Sequence, residues 1–146
     1  MIVPVGGKSK IDRVVLTFQG FGIPTHFVFD GDRSEDTDVS LNRLLLRLGQ
    51  RPEVDFPDTV SDELCACFGE DIESYLQGIT GARFQALRAA AAAKLGVNRP
   101  GEALKNAEVM AQFVSDASLE GFRFPVLEAI VDTVTRTAEG LRARPQ

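Results

Sequence analysis

The chain has 146 residues, 44% hydrophobic and 25% charged, a balance that fits a folded globular chain and excludes an intrinsically disordered one. Lys and Arg number 16 against 21 Asp and Glu, a net charge of −5, which argues against nucleic-acid binding by bulk electrostatics because that mode needs a basic surface. No apolar run reaches the roughly 20 residues of a membrane span and no charged-then-apolar leader opens the chain, so the expectation is a cytoplasmic protein with no membrane partner.

The first apolar run, Ile2-Val3-Pro4-Val5, is predicted to be a strand ending at Gly6-Gly7. Ile11, Val14, Val15 and Phe18 then recur at the spacing of one buried helix face, and Gly20 and Gly22 end that helix. Pro24 precedes a second strand, His26-Phe27-Val28-Phe29, and a right-handed crossover would make the two strands parallel. A second helix is predicted over Val39–Leu48, with Gly49 beyond its end. Residues 51–62, rich in Pro and Asp, read as a loop, and residues 63–68 as a third strand. Cys65 and Cys67 on that strand are read as small buried residues.

Residues 70–76 begin a helix after Gly69. Residues 82–95, with five consecutive alanines at 89–93, form another. Asn98-Arg99-Pro100-Gly101 marks a break, and helices are predicted over 102–117 and 125–141, the last carrying Val126, Leu127, Ile130 and Val134 on one face. The expected class is α/β: a mainly parallel sheet flanked by helices over 1–96, with a helical C-terminal extension over 97–146 packed on it. The apolar C-terminal helices would serve either that core or a homodimer interface.

The run that carries chemistry is Val28-Phe29-Asp30-Gly31-Asp32. Ligands of open α/β sheets gather at the carboxyl ends of strands, and two carboxylates around a glycine suit a hard divalent cation such as Mg²⁺ or Mn²⁺. Asp and Gly are also ordinary turn formers, so a plain strand-ending turn is the competing reading. Glu35, Asp36 and Asp38 follow in the next loop. Glu70, Asp71 and Glu73 open the helix after the third strand, where the helix macrodipole alone would favour Glu70 and Asp71. With parallel strands, Glu73 would share the end of the sheet that holds Asp30.

Other motifs fail on named positions. Gly6-Gly7-Lys8-Ser9 lacks the earlier glycine of a P-loop, since Ile2 stands there, although Lys8 is placed to contact a phosphate. An EF-hand loop from Asp30 would have Glu35 at its sixth position and Leu41 at its twelfth. His26 is the single histidine and reads as a core or edge residue rather than a triad member.

Val3-Pro4-Val5-Gly6-Gly7-Lys8-Ser9, Phe21-Gly22-Ile23-Pro24, the Asp30-Gly31-Asp32 run, Asn42, Asp71-Ile72-Glu73-Ser74-Tyr75-Leu76 and Ala103-Leu104-Lys105 occur in an order that resembles the Toprim nuclease half of the OLD (overcoming lysogenization defect) family. Those proteins join an ABC-type ATPase to a C-terminal Toprim domain. The resemblance implies a Rossmann-like Toprim fold and Mg²⁺- or Mn²⁺-dependent cleavage of DNA, with an ATPase domain in the same or a partner chain. By the same resemblance, Asp30 and Asp32 are metal ligands, Glu73 is a further ligand with a part in catalysis, and Lys105 offsets charge at the scissile phosphate. The family's V-E-G-like glutamate motif does not occur before Gly6. The expectation is therefore either a fragment of a longer protein or an N-terminally shortened module that needs a partner to supply the glutamate, in both cases weak or inactive as a nuclease by itself. Two alternatives stand beside it: a degenerate Toprim module for oligomerisation or docking, and a haloacid dehalogenase-type phosphatase, whose D-x-D motif Phe29-Asp30-Gly31-Asp32-Arg33-Ser34 also resembles.

Overall fold

The computed structural model describes residues 3–34 and 39–142. In chain order the elements are α1 (Ile11–Gly20), β1 (Phe27–Asp30), α2 (Val39–Leu48), β2 (Val60–Ser61), β3 (Cys65–Phe68), α3 (Ile72–Thr80), α4 (Phe84–Lys94), α5 (Ala107–Leu119) and α6 (Pro125–Arg142), with 3-10 turns at Lys8–Lys10, Gly81–Arg83 and Pro100–Lys105. The three strands form one mixed sheet in the order β1-β3-β2. β1 and β3 run parallel, with Phe27 opposite Cys65 and Asp30 opposite Phe68, while β2 is antiparallel to β3. The class is α/β. Among the described residues no helix is long and apolar enough to cross a membrane.

The chain divides into two units, Met1–Asp71 with Pro125–Gln146, and Ile72–Phe124. These boundaries fall elsewhere than at residue 97. α4 packs on α5 and both pack on the Pro100–Lys105 turn, whereas α6 packs against β2.

In the first unit the sheet buries one face under two helices. Phe27 and Phe29 of β1 and Cys65 and Cys67 of β3 alternate onto that face and meet Ile11 and Val15 of α1 and Leu45 and Leu46 of α2. β1 shows the alternation plainly, since Phe27 and Phe29 are buried while Val28 between them is 41% exposed. α1 ends in a Schellman motif: Gly22, at φ 68°, donates to Gln19 O, and Ile23 N–H reaches back to Phe18 O. α2 ends in the same way, but its left-handed residue is Gln50 at φ 56°, not Gly49. Gly49 is required for another reason: a Cβ there would run into Cys65 Sγ.

Three expectations need correction. Val3, Pro4 and Val5 form no strand; Pro4 has no N–H for a ladder, and β1 takes β3 as its parallel partner instead. Ile2 lies outside the described residues. The two-residue β2 inside the Pro- and Asp-rich segment escaped prediction because a strand that short has no readable period. On α6 the buried side is centred on Thr133, and Val134 is 39% exposed. Helical spacing from Val126 and Ile130 runs on to Thr133 and Thr137, and that is the side the chain buries.

The second unit is helical, with Leu76, Phe84, Leu87, Ala91, Ala92, Leu104, Val109 and Phe113 buried. The Phe84 and Phe113 rings meet edge to face at 5.5 Å. Ala91 and Ala92 are buried while Ala89, Ala90 and Ala93 are exposed, so the alanine run is one helix with a small packing side rather than a linker. Asn106 caps α5, its side-chain oxygen accepting from Glu108 N–H at 2.8 Å and Val109 N–H at 3.3 Å.

Candidate functional site

The carboxyl end of β1 is built from backbone first. Gly31 N–H donates to Phe68 O at 2.6 Å and Asp32 N–H donates to Glu70 O at 2.9 Å, so the parallel pairing continues past both strands. A Cβ on Gly31 would lie 2.5 Å from Gly69 O, so only glycine lets the two strand ends approach this closely. The left-handed turn itself is made by Asp32, at φ 51°. Aspartate tolerates that conformation better than most side chains.

Asn42 secures the turn from α2. Its side chain is fully buried, and Nδ2 donates to Gly31 O at 2.9 Å and to Asp55 O at 2.7 Å. Two carbonyl acceptors fix which end of the amide faces them. Asn42 Oδ1 is therefore the orphan, buried without a hydrogen-bond partner among the described residues.

Lys8 reaches the same turn. Gly6 at φ 66° and Gly7 at φ 133° turn the chain into the Lys8–Lys10 turn, and Lys8 Nζ meets Asp32 Oδ2 at 2.8 Å. The side chains are 15% and 24% exposed, so this ion pair is far better shielded than Arg33–Asp58, where they are 51% and 94% exposed. Behind the turn, Ser34 N–H donates to both Glu70 carboxylate oxygens, at 3.1 and 3.0 Å, and the Ser34 hydroxyl donates to the same group. Arg33 donates to Phe56 O and Pro57 O. Glu70, for which the helix dipole offered a sufficient account, lies before α3 and anchors this loop.

Of the residues singled out from sequence, Lys8, Asp30 and Asp32 belong to the first unit, and Lys8 and Asp32 are in contact. Glu73, in the first turn of α3, and Lys105, exposed at the end of the Pro100–Lys105 turn, belong to the second unit. Glu35, Asp36 and Asp38 lie outside the described residues. Among the described residues no three His, Cys, Asp or Glu side chains are grouped as a metal site. The donor chemistry at the turn still fits a hard cation. Mg²⁺ commonly takes only one or two protein carboxylates and keeps several waters, and the orphaned Asn42 oxygen adds an oxygen donor beside the turn.

The remaining candidates take structural roles. Burial pushes the Cys65 thiol up to about 11 and the Cys67 thiol up to about 12, so both stay protonated and inert; both are free. They sit at i and i+2 on one face of β3, both turned into the core. His26 stands just before β1, at the end of the strand opposite Asp30, with Nε2 3.2 Å from Asp62 O. Burial lowers its pKa, against the raising influence of Asp62. At that same end a cleft of about 340 Å³ is lined by Pro24, Thr25, Glu63, Leu64, Thr133 and Arg136, among others. Comparison with protein-family models, with curated proteins and with solved structures gives no match to this chain.

Proposed function

We propose that the carboxyl edge of the β1–β3 pair holds a divalent cation, Mg²⁺ or Mn²⁺, and that the chain is a Rossmann-like Toprim module of the OLD type, taking part in phosphodiester cleavage of DNA. One observation supports this above the rest: Asp30 and Asp32 leave the end of a buried parallel strand in a turn held by Gly31, Asn42 and the β3 backbone. In this reading Asp30 and Asp32 hold the cation, which supplies Lewis acidity toward a phosphodiester when bound.

Mn²⁺ binding, followed by the electron paramagnetic resonance signal of the free ion, tests the reading. Asp30→Asn and Asp32→Asn are each expected to weaken binding by about tenfold or more, on the order of what loss of one supporting group costs a metal site. Supercoiled plasmid is expected to be cut weakly or not at all by the chain alone. Mn²⁺ binding that is absent, or indifferent to both substitutions, would favour the degenerate docking module, for which the lysine already seated on Asp32 speaks.

A further inference from the structure

Lys8 and Asp32 form a shielded ion pair between residues 24 positions apart in sequence, delivered by two glycines at positive φ on one side and a left-handed aspartate on the other. Both side chains are largely withdrawn from water, at 15% and 24% exposure. A partly desolvated charge cannot lose its partner without cost. A cation that takes Asp32 strands the Lys8 ammonium unless an anion arrives to receive it. When both arrive together, each charge keeps a partner. Lysine is a compact point charge well suited to a phosphate oxygen. Asn42, whose Nδ2 holds the Gly31 carbonyl of the same turn, keeps its buried Oδ1 without a hydrogen-bond partner among the described residues, a separate sign of an acceptor left open for a positively polarised group.

We propose that Lys8 exchanges partners, releasing Asp32 to an incoming divalent cation and receiving a phosphodiester anion, so that cation and anion bind cooperatively. The inference rests on the cation reading above and adds to it the anion and the residue that receives it. Reciprocity follows by linkage: whatever factor the anion lends to cation affinity, the cation must lend to anion affinity.

The test titrates the full chain with Mn²⁺, with and without saturating dimethyl phosphate, a monoanionic diester. The diester is expected to tighten Mn²⁺ binding by about fivefold or more, the lower end of ordinary coupling between sites, and Mn²⁺ is expected to tighten diester binding by the same factor. Lys8→Met is expected to bind Mn²⁺ more tightly than the parent when no diester is present, and to show no coupling, while Lys8→Arg keeps it. The comparison on the unsubstituted chain needs no variant, so a misfolded Lys8→Met cannot conceal the answer. Mn²⁺ affinity that falls with Asp30→Asn but is the same with and without the diester would overturn the exchange and leave the cation site standing. Absence of Mn²⁺ binding altogether would overturn both.

Discussion

Single side chains in this protein are set by what they face. His26 is one half of a short contact with the Asp62 carbonyl, and Nε2 must carry the proton that is donated. Burial lowers its pKa below the ordinary 6.5, so the unfolded chain takes up a proton more readily than the folded one. The stability that goes with neutral His26 is present above about pH 6.5 and is lost as pH falls through that value toward the lower folded pKa. Urea unfolding at pH 7 and pH 5 is therefore expected to show a larger acid loss in the parent than in His26→Gln. The difference should stay well under the ~1.4 kcal/mol per pH unit of one full proton, because the ring is only partly buried. An equal acid loss in both proteins would refute the assignment. The same scale shows what was legible in the sequence. Asp30 and Asp32 stood out because two acids end an apolar run. Asn42 and Glu70 could not be seen as supports, since each acts on backbone or a hydroxyl that the fold brings in from far along the chain.

At the scale of elements, periodicity served where an element is long and one-sided. The Val39–Leu48 helix has the bounds read from its sequence, and the strand through Cys65–Phe68 lies within the predicted 63–68. It failed for β2, which is too short, and for Val3–Val5, where an apolar run with a proline has no ladder to join. Gly49 shows a signal with the right residue and a different cause. Read as a helix stop, it is instead a gap that Cys65 fills, while Gln50 makes the stop. Gly49→Ala is expected to destabilise by about 1–3 kcal/mol, the usual cost of overpacking. Adding Cys65→Ala should recover part of that loss, because the atom in the way is Sγ. Chemical denaturation of the two single variants and the double variant measures the coupling, and strictly additive losses would show that the collision is not the cause.

At the scale of the whole chain, charge decides how it meets nucleic acid. With 21 acidic and 16 basic residues, nothing in the overall field draws the chain to duplex DNA. Non-specific DNA affinity at physiological salt is expected to be weaker than the ~10⁻⁴ M at the weak end for DNA-binding proteins, by fluorescence anisotropy on a short duplex. Tight, steeply salt-dependent binding by the chain alone would contradict this.

One further consequence follows from the way the first unit is assembled from two stretches of chain, with α6 returning to β2 after the whole of Ile72–Phe124 has intervened. A ribosome makes the strands and their first helices early, yet makes α6, which packs against β2, only after Ile72–Phe124. The helical unit, built from neighbours in sequence, has all of its own segments before α6 is made. During synthesis the order of completion is thus the reverse of the order of appearance, and for that interval β2 and its side of the sheet are without α6.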